Sequence, residues 1–123
     1  MKKEVHIIAA RGHLRIAEEN DKKLEKSAGD ESEALRTVAA QNFFYALTNF
    51  LEARLSEKDI HSHSHENRMK NTMMHQNLFS TDLIKGYDDV SNIRGKVAYR
   101  AKNGKNYAKI KAIVILASTE ISE

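Results

Sequence analysis

Arg94 and Tyr99 stand five positions apart at the head of an acid-free stretch. Residues 94–111, RGKVAYRAKNGKNYAKIK, hold seven Lys or Arg and no Asp or Glu. An arginine meets phosphate with a fork of N–H donors and a charge that neutral pH never removes. A run of cations attracts polyanions, nucleic acid first. Tyrosine rings set among those cations, here Tyr99 and Tyr107, are of a type that stacks on bases. Lys96, Arg100, Lys102 and Lys105 complete a candidate nucleic-acid-binding set around Arg94 and Tyr99. The plainer reading of such a run is a solvated helix end. Arg94 also falls four residues after Val90 and seven after Tyr87, on an apolar stripe. Arginine is rarely buried unpaired. It either pairs with Asp88, Asp89 or a carboxylate of the second helix, or faces a groove as an anion binder.

A second constellation is the tract HSHSH, with His61, His63 and His65 alternating with serines. On a helix, His61 and His65 share a face at a spacing able to chelate zinc. In an extended segment all three share a side. A metal site wants a further ligand, and Glu66 and His75 are the nearest. The chain has no Cys and no HExxH, so the expectation is no resident metal and no cofactor. Asp88 and Asp89 are a poor metal pair, because adjacent helix positions point ~100° apart. No glycine-rich phosphate loop, dinucleotide fingerprint, G-x-S-x-G or calcium loop is present.

Helices must position these residues. Ile7, Ala10, Leu14, Ala17 and Leu24 keep a three/four spacing, which predicts one long helix broken near Gly29. Asp30 or Ser32 is placed to cap the next helix. That helix carries the strongest stripe: Leu35, Val38, Ala39, Phe43, Ala46, Leu47, Phe50, Leu51 and Leu55. It should be the central core helix, ending near 56–59. Phe43, Phe44, Tyr45 and Phe50 read as core plus a dimer face, since three consecutive aromatics cannot all point inward. A weaker helix is expected over about 66–77, with Met69 and Met73 inward. Ser80-Thr81-Asp82 starts a fourth, carrying Leu83, Tyr87, Val90, Arg94 and Val97. Asn103-Gly104 reads as its stop. The last holds Tyr107, Ile110, Ile113, Val114, Ala117 and Ile121.

Class follows from the whole. With 123 residues the chain fits a single domain, 1–123. Absence of Pro and only five Gly argue against turn-rich β folds. The expected fold is all-α: an antiparallel, up-and-down bundle of four to five helices. No apolar run approaches the ~18 residues of a membrane span. The start, MKKEVHIIAARGH, lacks the apolar core and cleavage site of a signal peptide. A soluble, cytoplasmic protein without membrane contact is expected. Net charge is +3, unevenly spread. Residues 1–60 carry ten bases against eleven acids, and residues 61–123 carry ten against six.

Taken together, RTVAAQNFFYALTNFLEARL (36–55), the histidine break (61–65), RGKVAY (94–99), the basic stretch and the closing helix resemble a HEPN domain. The likeness is to a branch of small bacterial and archaeal HEPN proteins and spans nearly the whole chain. The resemblance implies a dimerising helical bundle. It also implies RNA or nucleotide binding in a toxin–antitoxin or stress-defence setting, with a nucleotidyltransferase antitoxin as a possible partner. Many such proteins are metal-independent endoribonucleases whose hallmark is Arg, four to six residues, then His. Arg94 matches that arginine, and Tyr99 stands where the histidine would be. Catalytic roles for Arg94 and Tyr99 are implied only so far as that exchange allows. Arg94 can stabilise a phosphorane, but an unperturbed tyrosine near pKa ~10 is a poor base at pH 7. Binding is therefore better supported than cleavage. Five helical positions also separate two side chains by ~140°. Arg94 and Tyr99 converge only by distortion at Gly95 or across a two-fold axis. The resemblance further makes Tyr99 and Tyr107 candidates for adenylylation by such a partner, and it gives His63 or His65 a place where related proteins carry a loop histidine.

Overall fold

The computed structural model describes residues 2–94 and 104–121, with the backbone alone at Arg94 and Gly104. The described residues form five α-helices: α1 (Lys3–Leu24), α2 (Gly29–Ser56), α3 (His65–Met74), α4 (Thr81–Arg94) and α5 (Gly104–Ile121). A single 3-10 turn, Gln76–Leu78, links α3 to α4.

Contacts fix the directions. His6 reaches Asn49 and His13 reaches Asn42, so α1 and α2 run antiparallel. Phe43 meets Tyr107, and Arg54 meets Glu120, so α2 and α5 run parallel. Gly86 abuts Ile113, and Ser80 bonds Glu120, so α4 opposes α5. The four long helices thus alternate up and down, and α3 is a short element laid between the second and third of them.

The central helix is α2. Ala39, Ala40, Phe43, Phe44, Ala46, Leu47, Phe50, Leu51, Ala53 and Leu55 are all buried on it. Such all-round burial is expected of a helix packed on several sides. Val38 and Tyr45, of the same run, stay exposed. Leu83, Tyr87 and Val90 of α4 and Ile110, Val114, Ala117 and Ile121 of α5 complete the core.

Helix ends differ from the sequence reading in three places. Neither Asp30 nor Ser32 caps α2. Ala28 holds the N-cap position with no side-chain bond, and Gly29 enters the helix at φ +58°. Ser32 bonds Ser27 instead, at 2.6 Å. The third helix ends at Met74 rather than Asn77, because the last residues tighten into the 3-10 turn. Gly104, read as part of a helix stop, is helical as the first described residue of α5, and Asn103 lies outside the described residues. Ser80 behaves as its type suggests: its Oγ accepts from the Leu83 N–H at 3.1 Å, capping α4. Among the described residues no helix is long and apolar enough to cross a membrane.

Candidate functional site

Arg94 is the last described residue of α4. Its position continues the helical row of Tyr87 and Ser91, seven and three residues earlier. Lys96, Tyr99, Arg100, Lys102 and Val97 lie outside the described residues, as does the Arg94 side chain. Lys105 is exposed in the first turn of α5.

Tyr107 is buried, which removes it as an accessible modification site. Its hydroxyl donates to Asp21 Oδ1 at 2.5 Å, and Lys111 Nζ donates to Asp21 Oδ2 at 2.5 Å. Burial and the Asp21 contact push the Tyr107 hydroxyl far above the usual tyrosine value. Partial burial opposes ionisation of Asp21. The hydrogen bonds from Lys111 and Tyr107 outweigh it and hold the carboxyl below its usual value. This cluster ties α5 to α1.

The histidines do not converge. His61 Nε2 lies 3.1 Å from Asp59 Oδ1. The backbone N–H of His63 donates to Asn67 Oδ1 at 3.0 Å. His65 turns to Arg68. Among the described residues no group of three or more His, Cys, Asp or Glu is placed to hold a metal ion.

His65 belongs to a different assembly. A cleft of about 260 Å³ opens between α2, α3 and α4, lined by Phe44, His65, Glu66, Met69, Tyr87, Asp88, Ser91 and Asn92. Behind it runs a polar chain. Glu52, buried on α2, accepts from Arg68 Nε at 3.0 Å. Arg68 Nη1 donates to His65 Nδ1 at 2.9 Å. Arg68 and Ser91 also bond the Tyr87 hydroxyl. Burial raises the Tyr87 pKa above the ordinary tyrosine value, against the opposing pull of Arg68 and Ser91. Tyr87 is therefore a neutral phenol at pH 7, able to donate and accept but not to serve as a base. The His65 ring packs on Phe44 with centroids 5.4 Å apart.

Local sequence explains the placement. Ser64 Oγ accepts from the Asn67 N–H at 3.0 Å, so α3 starts at His65 and points its first turn at the cleft. Asp88 lines this cleft, whereas Asp89 lines a second groove with Gly86 and Lys109 between α4 and α5. That split is the ~100° divergence of adjacent helix positions. Arg68, Tyr87 and Ser91 carry no sequence signal as polar partners. Glu52 carries a faint one: it stands inside the strongest apolar stripe, and a buried carboxylate demands a cation.

No family model, curated protein or solved structure matches this chain.

Proposed function

We propose that this protein is a HEPN-like, RNA- or nucleotide-binding bundle of a toxin–antitoxin or stress-defence system. Its ligand docks beside Arg94 of α4. The observation that carries this reading is the position of the cleft. Ser91 and Asn92 line it within one turn of Arg94, the residue at which the acid-free basic stretch begins. Arg94, Lys96, Tyr99, Arg100, Lys102 and Lys105 supply the polyanion-binding side of the site, and the cleft supplies a shaped, partly apolar one.

A second reading, metal-independent endoribonuclease, is favoured by one feature. His65 brings to the cleft the residue type that exchanges protons near neutrality, which the Arg94–Tyr99 pair lacks. Both readings fit a homodimer. Val5, Ile8 and Ile16 on α1 and Val38 and Tyr45 on α2 are exposed apolar side chains, and α1 and α2 pack side by side along the His6–Asn49 and His13–Asn42 seam.

The deciding experiment is a gel assay of untagged protein with structured RNA in excess EDTA, wild type beside Arg94→Ala. A shifted, intact band that weakens about tenfold or more in the variant supports binding. Cleavage by wild type alone establishes the nuclease. Neither shift nor cleavage removes both and moves the function to a protein partner such as a nucleotidyltransferase.

A further inference from the structure

The core closes without α3. Every buried apolar side chain of the described core belongs to α1, α2, α4, α5 or Phe79. From α3, the partly buried Met69 packs against that core. The one fully buried residue of α3 is Thr72, and its hydroxyl has no hydrogen-bond partner among the described residues. An orphaned buried hydroxyl penalises the docked helix, because undocking returns it to water. At ten residues, α3 is also too short to hold as a helix in water by itself. It depends on its docking, and its docking is thin.

The chain is pinned on both sides of this segment. Ile60 packs on the core, and its backbone N–H donates to Leu55 O at 3.1 Å. Beyond α3, Phe79 is buried and Leu78 O accepts from Arg54 Nη1 at 2.8 Å. Between those anchors the segment is bonded to itself. Asn71 Nδ2 donates to Ser62 Oγ at 3.1 Å, and the His63 N–H donates to Asn67 Oδ1. Its charged tie outward is Arg68, which bonds Glu52 of α2 and the Tyr87 hydroxyl of α4. That tie is desolvated, so it closes firmly or not at all.

We propose that residues 61–77 form a lid that undocks from α2 and α4 while the four long helices stay folded, with the Glu52–Arg68 pair as its latch. Undocking takes His65, Glu66 and Met69 out of the cleft wall and leaves an open groove between α2 and α4, beside Ser91 and Asn92. At about 260 Å³ the closed cleft is smaller than the ~300 Å³ at which drug-sized sites begin. A ligand of nucleotide size therefore needs this wall to move. Such a ligand belongs to the nucleotide-binding reading above; the lid itself needs none.

Native-state hydrogen exchange of the full chain in low urea tests the lid with no ligand present. Amides of 69–74, bonded inside α3, are expected to open at least about a hundredfold more often than those of 46–55 on α2, with a urea dependence well below that of global unfolding. Arg68→Gln should raise the opening of 69–74 by at least about a hundredfold more, since it strands Glu52 in the closed state. Thr72→Val keeps the shape, removes the orphaned hydroxyl and should lower that opening about tenfold. It also keeps the test decisive if Arg68→Gln does not fold. Exchange of 69–74 with the same rate and urea dependence as 46–55 overturns the lid, because α3 then leaves only with the whole fold. Opening of 69–74 that Arg68→Gln leaves unchanged overturns the latch. RNA binding that depends on Arg94, with α3 opening only globally, sinks the lid and leaves the RNA reading standing. A lid that opens alone, with RNA affinity indifferent to Arg94→Ala, does the reverse.

Discussion

Glu52 and Arg68 meet behind the cleft with side chains only 8% and 16% exposed. Breaking such a pair strands a buried charge, and that penalty exceeds what the pair itself contributes. Arg68→Leu should therefore lower unfolding free energy by about 3 kcal/mol, whereas Glu52→Leu/Arg68→Leu together should regain most of it. Urea unfolding of the two variants measures the difference, and equal losses would show that Glu52 finds another partner. The Asp21–Tyr107–Lys111 cluster responds to pH at both ends. Asp21 is held below its ordinary value of 3.8. Its contribution is present above that value and is lost as pH falls through the folded-state value. Tyr107 is raised above 10.0. Its contribution is present below 10.0 and is lost as pH rises beyond it. Asp21→Asn should flatten the acid limb of a stability–pH curve below about pH 4, and Tyr107→Phe the alkaline limb above about pH 10. Thermal melts across both limbs check the two signs separately.

Helices transmit these local requirements. A Cβ at Gly86 would collide with the Ile113 side chain, so the packing of α4 on α5 at this point uses the absence of a side chain at Gly86. Gly86→Val should destabilise by about 2 kcal/mol through overpacking, a fall near 8 °C in Tm for a chain of this size; an unchanged melt would mean that Ile113 swings aside freely. Ser64→Ala removes the cap of α3, and about 1 kcal/mol is expected. Hydrogen exchange should quicken at 65–68, and the His65–Arg68 contact should loosen with it. The four long helices were legible because each has an apolar row with helical spacing, as in Ile7, Ala10, Leu14 and Ala17 or Leu83, Tyr87 and Val90. Their ends were less so. Asp30 and Ser32 have good capping chemistry, yet the left-handed turn at Gly29 lets α2 begin before them. The cleft was not legible, because it assembles Phe44, His65, Tyr87 and Ser91 from three helices. Arg68 stands on a mostly polar helix where one more cation attracts no notice. Arg94 was singled out by its spacing to Tyr99, and it is the last described residue of the helix that lines the cleft.

At the scale of the whole molecule, the open question is whether one copy suffices. Arg94 and a residue five positions on do not share a helical face, so a site built on both requires either a bend after Arg94 or a second copy across a two-fold axis. The exposed apolar residues give the second option a surface: Ile8 is 70% exposed, and Val5, Ile16, Val38 and Tyr45 between 39% and 46%. Val5 and Ile16 are three turns apart on α1, and Val38 and Tyr45 two turns apart on α2, so each pair repeats along one side of its helix. Burying what each still exposes contributes a fraction of the about 1.5–3 kcal/mol of a full burial, the largest share coming from Ile8. A lysine among them keeps the bundle, because none of the five belongs to the core, but it forbids a dry contact. Sedimentation should find wild type dimeric at high micromolar concentration and Ile8→Lys with Tyr45→Lys monomeric, with unchanged helical circular dichroism. A monomeric wild type would remove this interface. The same monomeric variant then decides the site's geometry: RNA affinity lost with the dimer places Arg94 and its partners on opposite sides of a two-fold axis, and affinity retained places the bend at Gly95 within one chain. The added lysines raise net charge, so the comparison belongs at matched, moderately high salt, where their non-specific attraction for phosphate is screened.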